Sequence, residues 1–448
     1  MVSVVIMGHN PAMSLRTVLL EKKVLSWALY DWANSAFATT IVAGFFPVFY
    51  SAISEDLSTA DSQFWFNITL AVSSIIVAVA APVLGAIADY GGKRKKLLAI
   101  FAMLGILMSV GLAWVGAGMW WMALLVYGLG QIGFAGANIF YDAMIMDVSD
   151  VESVNLVSGF GYGMGYIGGG LLFLLNVLMV SFPESFGFTG VSEAVAAAFV
   201  SVGVWWLVFT IPLLLWVPEE PRETNPGFVE AISLGLAQLK TTFREIRQLK
   251  IVMLFLGGYW LYIDGVGTIY KMAVFFADRV LGLPSESLIT ALLVTQFVAF
   301  PAAIFFGWLG NKIGAKQGIM IGLVVYSFVV VYAWKWLQTS TDFYVLAVAI
   351  GLVQGGVQSL SRSLFTRLVP PAKTTEFFGF FNMVGKFASI LGPLLMAMVP
   401  LVFAGSSERD SILVLLLLFA AGGLLLSRVN VPRGTAIAAE MQRSLERQ

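Results

Sequence analysis

Apolar stretches of about 20 residues recur along this chain, each long enough to cross a hydrocarbon layer of ~30 Å, with short polar segments between them. Twelve spans are expected. Six cover residues 24–50, 66–88, 97–116, 119–141, 155–182 and 194–217. Six more cover 251–276, 287–310, 317–337, 343–361, 376–402 and 411–430. The expected fold is an all-α polytopic membrane protein with one six-helix bundle at 24–217, a second at 251–430, and tails at 1–23 and 431–448. The linker at 218–250 is the longest polar segment. Within it Asn225-Pro226 reads as a helix start, and Phe228, Ile232, Leu236, Leu239, Phe243, Ile246 and Leu249 recur at helical spacing. With Lys240, Arg244 and Arg247 on its polar side, this helix suits the inner leaflet, or a docked partner. Gly392-Pro393 predicts a kink in the eleventh span.

Charge changes the picture by where it lies. Of 26 Lys and Arg, 21 fall on one side if both termini share it, against three, Arg279, Lys335 and Arg409, on the other. The positive-inside rule therefore puts both termini in the cytoplasm. The remaining two, Lys271 and Lys386, lie within spans. Composition agrees: 59% of residues are hydrophobic and 12% charged, where a soluble domain carries about 25% charged residues. There is no cysteine, so disulfides and thiolate metal sites are excluded. His9, the one histidine, precedes the first span. No metal site and no cofactor is expected, and without a Gly-x-x-x-x-Gly-Lys-Ser/Thr motif no ATP hydrolysis. Val2 to Met7 is too short for a signal-peptide core.

Polar groups inside the spans are the candidate chemistry. At 100° per residue Trp27, Asp31, Asn34, Ser35 and Ala38 fall within about 60° of one another on the first helix. Trp260, Asp264, Gly267, Thr268 and Lys271 repeat that pattern 233 residues later. A carboxylate in the bilayer costs roughly 2.5–3.5 kcal/mol on insertion scales and marks a functional site by default. Asp31 and Asp264 are open to two readings: an ion pair or capping bond that holds the bundle, or a site for a substrate amine or a coupling proton. Lys386 suits an Asp partner or a substrate carboxylate. Asn34, Ser35, Thr268 and Gln358 offer neutral hydrogen bonds to a solute or between helices.

The halves repeat elsewhere. Gly85-x-x-x-Asp89-x-x-Gly92 recurs as Gly307-x-x-x-Asn311-x-x-Gly314, and Gly159 and Gly165 match Gly379 and Gly385, 220 residues on. Both copies start on the same side, so a pseudo-twofold axis along the membrane normal relates them.

The loop from Gly85 to Lys96 resembles the cytoplasmic signature of the major facilitator superfamily. Ser26-Trp27-Ala28-Leu29-Tyr30-Asp31-Trp32-Ala33-Asn34-Ser35, Tyr259-Trp260-Leu261-Tyr262-Ile263-Asp264, Gly355-Gly356-Val357-Gln358-Ser359-Leu360-Ser361-Arg362-Ser363 and Glu376-Phe377-Phe378-Gly379 resemble the family of the autophagy-linked vacuolar effluxer and its bacterial relatives. The resemblance covers residues 24–430. It implies the major facilitator fold, with helices one, four, seven and ten lining a cavity, and a cytoplasmic gate at Gly85, Asp89, Gly92, Lys93, Arg94, Asp142, Asn311 and Arg362. In that gate Asp89 would face a helix N-terminus of the other half, and the basic loop would pair with Asp142. Tyr90 and Asn311 depart from the usual basic and acidic residues, which makes the expected gate asymmetric.

The resulting expectation is a monomeric secondary active transporter of a bacterial plasma membrane. It would work by alternating access on a small polar solute, amino acids first, with export favoured and protons as the coupling ion. Its other contacts would be membrane lipids, with no nucleic acid and no enzymatic step. The rival classes are an exporter of amphiphilic drugs or lipids and a membrane sensor or scaffold that moves nothing.

Overall fold

A computed structural model describes residues 15–91, 93–219, 249–275, 282–388, 390–402 and 408–447. Gly92, residues 220–248 with most of the expected amphipathic linker segment, and the side chain of Lys271 lie outside the described residues. Twelve helices among the described residues are long and apolar enough to cross a membrane. In the first half these are α1 Lys22–Ile53, α2 Thr59–Asp89, α3 Arg94–Trp114, α4 Trp120–Ala143, α5 Val154–Ser181 and α6 Val191–Trp216. The second half has α7 Lys250–Tyr270, α8 Glu286–Ile313, α9 Ala315–Lys335, α10 Ser340–Leu368, α11 Pro371–Val402 and α12 Arg409–Ser427.

Local chemistry moves three boundaries from where hydropathy alone puts them. α2 starts seven residues earlier than expected because Ser58 accepts the Asp61 N–H at 3.1 Å while its hydroxyl donates to the Asp61 carboxylate. This polar cap precedes the apolar run. α10 runs seven residues further than expected, so Arg362 and Arg367 lie in the helix and not in a loop. Ser361 and Thr366 donate to carbonyls four residues back, at 2.6 and 2.8 Å, which removes the reason for a polar stretch to end a helix in lipid. The expected kink in α11 is a full break: one helix ends at Phe387 and the next begins at Leu391.

The first and last described helices begin and end at one end of the bundle. Lys22 sits over the Trp216 ring, Lys95 donates to the Val217 carbonyl, and Lys316 donates to the carbonyls of Ser427 and Val429. At this end the halves meet along two seams, α2 on α11 and α5 on α8, both lined by glycine. A Cβ on Gly379 would lie 2.5 Å from the Ala81 carbonyl oxygen, and one on Gly159 would lie 2.5 Å from that of Ala303. The facing positions match: Gly85 abuts the Thr375 carbonyl, and Gly307 that of Asn155. Backbone meets backbone, as small residues allow between membrane helices.

Candidate functional site

Polar side chains collect where α10 meets the N-terminal half, with Arg362 at the centre. It is 1% exposed. Its Nε donates to the Ser158 hydroxyl at 3.0 Å, one Nη to the Ser158 carbonyl at 3.1 Å and the other to Asp142 at 3.0 Å. Asp31 stands 4.0 Å from that second Nη and accepts the Tyr141 hydroxyl at 3.1 Å. Trp27, Tyr141 and Tyr162 surround the guanidinium, whose Cζ lies 4.9, 5.4 and 4.4 Å from their ring centroids. Trp27 is fixed by stacking on Tyr141 and by its indole N–H, which donates to the Tyr141 carbonyl at 3.0 Å. Two carboxylates thus face one guanidinium. Burying each ion costs several kcal/mol, and opposite charges 4 Å apart regain about 4 kcal/mol at an effective dielectric of 20.

The cluster follows the internal repeat. Asp142 and Arg362 are 220 residues apart, the same interval that separates Gly159 from Gly379. Tyr162 and Asn382 share it too: Tyr162 lies over Arg362, and the Asn382 amide donates to Asp142 at 3.3 Å. Asn138 and Gln358 do likewise, bonded at 2.6 Å to Asn34 and at 2.9 Å to Tyr166. Of these equivalent positions, Asp142 and Arg362 face each other directly and carry opposite charges.

Nearer the end where α1 begins and α12 ends, Asp89 accepts the Glu376 backbone N–H at 2.8 Å and the Arg94 guanidinium at 3.0 Å. Arg94 also binds Asp147 at 3.0 Å. The carboxylate of α2 thus meets the first turn of the long helix in α11, where free N–H groups and the helix dipole attract an anion. The basic residue that reaches across is Arg94, and its second acid is Asp147; Asp142 is held by Arg362 from α10. In the other half Asn311 is exposed.

The two spans that looked alike differ in use. Asp264 is fully buried, accepting the N–H groups of Leu391 and Gly392 at 2.9 and 2.8 Å and the Thr268 hydroxyl at 3.2 Å. It caps the helix that resumes after the break in α11. Trp260 is 40% exposed, whereas Trp27 is fully buried. Asp31, Asn34, Ser35 and Gln358 share the centre with Arg362; Asp264 and Thr268 sit apart from it, and Lys386 lies on the helix ahead of the break.

This geometry has a counterpart in known proteins. The model of the family described as "Vacuole effluxer Atg22 like" matches residues 59–439. The chain belongs to the Atg22-like family. An MFS-type transporter of Bacillus subtilis, YxiO, described as uncharacterized, is 38% identical over 94% of this chain and 97% of its own length. Autophagy-related protein 22 of Yarrowia lipolytica is 30% identical over 54% of this chain and 45% of its own. Among solved structures, the proton:xylose symporter XylE superposes with a TM-score of 0.64 at 16% identity, over 93% of this chain and 96% of XylE. The human organic anion transporter MFSD10 superposes with 0.67 at 15%, over 93% and 100%. These likenesses give the fold of the Atg22-like chain: two six-helix bundles of a major facilitator superfamily transporter.

Several residues that build the Atg22-like centre escape a search for charges in apolar runs. Trp27 shares the candidate face with Asp31, but Tyr141, Ser158, Tyr162 and Asn382 carry no charge and do not stand out in the apolar runs. The 220-residue interval that pairs Asp142 with Arg362 also pairs Tyr162 with Asn382 and is the signal for those two.

Proposed function

We propose that this protein is a secondary active transporter of a small polar solute, amino acids first and export favoured, working by alternating access in a bacterial plasma membrane with both termini in the cytoplasm. The observation that carries this reading is the state of Asp31. It sits at the junction of the halves with one hydrogen bond among the described residues, from Tyr141, and stands 4.0 Å from Arg362. An acid so lightly held, beside Ser35 and the Asn34–Asn138 and Tyr166–Gln358 bonds, suits a substrate amine or a coupling proton. Asp264 has its lone pairs engaged by backbone N–H groups, which favours a positioning role. Asp89, Arg94, Asp147, Asp142 and Arg362 then form the inner gate, shut in this conformation.

The test is uptake into proteoliposomes of purified protein, with leucine, other amino acids, sugars and amphiphilic dyes, with and without a pH gradient. Amino-acid flux driven by the gradient, with the drive lost in Asp31→Asn and kept in Asp264→Asn, is the expected result. Flux of dyes alone would move the protein to drug or lipid export. No flux of any solute would leave a sensor or scaffold.

A further inference from the structure

The side chains that grip Arg362 belong to the opposite half of the molecule. Trp27 and Asp31 come from α1, Tyr141 and Asp142 from α4, Ser158 and Tyr162 from α5. Three aromatic faces within 5.4 Å of Cζ, two carboxylates, and a hydroxyl and carbonyl from one serine make a complete receptor for a flat organic cation. Aromatic faces attract cations most strongly when water is excluded, and paired acceptors match the guanidinium fork.

We propose that the N-terminal half carries a binding site for a guanidinium or primary ammonium group, and that Arg362 of the C-terminal half fills it while the inner seams are shut. The inference deepens the transport reading, on which it rests, by naming the substrate class: an organic cation or the cationic side chain of an amino acid. When the halves part, α10 carries Arg362 away with its own bundle. Asp31 and Asp142 stay behind in a site lined by aromatic rings, two negative charges without their counter-ion. That vacancy is costly in a low dielectric, and an entering cation relieves it. A neutral or anionic solute does not. Opening at this end thus amounts to exchanging a tethered guanidinium for a free cation, and closing expels the cation as Arg362 returns.

The experiment uses agmatine as probe and urea as its flat, uncharged control. Arg362→Ala, with the site vacated, is expected to be stabilised thermally by millimolar agmatine but not by urea, and adding Tyr162→Leu should weaken agmatine at least tenfold. Equal response to both compounds, or no effect of Tyr162→Leu, overturns the site. Should Arg362→Ala fail to fold, Arg362→Gln gives the same comparison, and the wild type is assayed for agmatine flux in proteoliposomes. Leucine flux with no agmatine binding or flux would overturn this inference and leave the proposed function standing. Agmatine binding to the vacated site without flux of any solute would uphold the site and overturn the transport reading.

Discussion

Asp142 and Arg362 occupy equivalent places in the two halves and bind each other at 3.0 Å across the axis that relates them. A symmetric architecture would put like beside like there, and two acids or two arginines would repel. The duplicated positions have instead diverged to opposite charge. Removing one partner leaves the other buried and uncompensated, at about 3–5 kcal/mol. Asp142→Asn should therefore melt well below the wild type in detergent, and Arg362→Ala should behave likewise without a ligand. A change in Asp142→Asn no larger than that of an exposed control such as Glu152→Gln would refute the assignment.

Asp89 ties the N-terminal half to the Glu376 N–H of the other half and to Arg94. Hydrogen bonds to a charged group are worth about 1.5–3 kcal/mol, roughly a tenfold or larger shift in a two-state equilibrium. The chain contains no cysteine, so a single Ser359→Cys, at a fully buried position behind the seam, reports opening by thiol labelling. Asp89→Asn should raise the labelling rate about tenfold. An unchanged rate would show that the seam closes without this contact.

Asp147 gives a pH dependence of definite sign. Burial lifts its carboxyl above the ordinary value, and the Arg94 guanidinium offsets only part of that. A folded-state value above the unfolded one means that the folded state holds the proton more tightly. Its contribution to stability is then fully present below the unfolded value, ~3.9, and is lost as pH rises through the folded value. Asp147→Asn should accordingly melt at or above the wild-type temperature at pH 7, with the difference shrinking toward pH 4. A lower melting temperature at pH 7 would mean that the Arg94 bond outweighs burial.

The break in α11 is held from outside. Asp264 caps Leu391 and Gly392, and a Cβ on Gly392 would strike the Thr268 hydroxyl and come within 2.8 Å of the Asp264 carboxylate. Overpacking of this kind costs about 1–3 kcal/mol. Gly392→Ala should lower the melting temperature, and Thr268→Ala added to it should restore part of the loss. Failure of the second change to compensate would place the strain elsewhere.

The twelve spans and the duplication were legible in hydropathy and spacing, and the contact of Asp89 with a helix start was implied by the resemblance of its loop to a known signature. The grip on Arg362 was not. Hydropathy ends α10 at its serines, and only back-bonding of Ser361 and Thr366 to their own helix lets it continue and carry the arginine inward. The likeness of Trp27 to Trp260 misled for a related reason. A shared face on two helices does not fix burial along its length: Trp260 is 40% exposed while Asp264, one turn further along the same face of α7, is fully buried.

At the two glycine seams the inner end is shut by backbone lying directly on backbone, beside the side-chain bonds of Asp89 and Arg362. Dispersion forfeits a quarter to a half of its strength over a gap of 0.5–1 Å, so this grip weakens steeply as soon as it slips. Such a joint works as a snap fastener and not as a spring: it stores no partial opening, and the halves pass from shut to parted with little to hold them between.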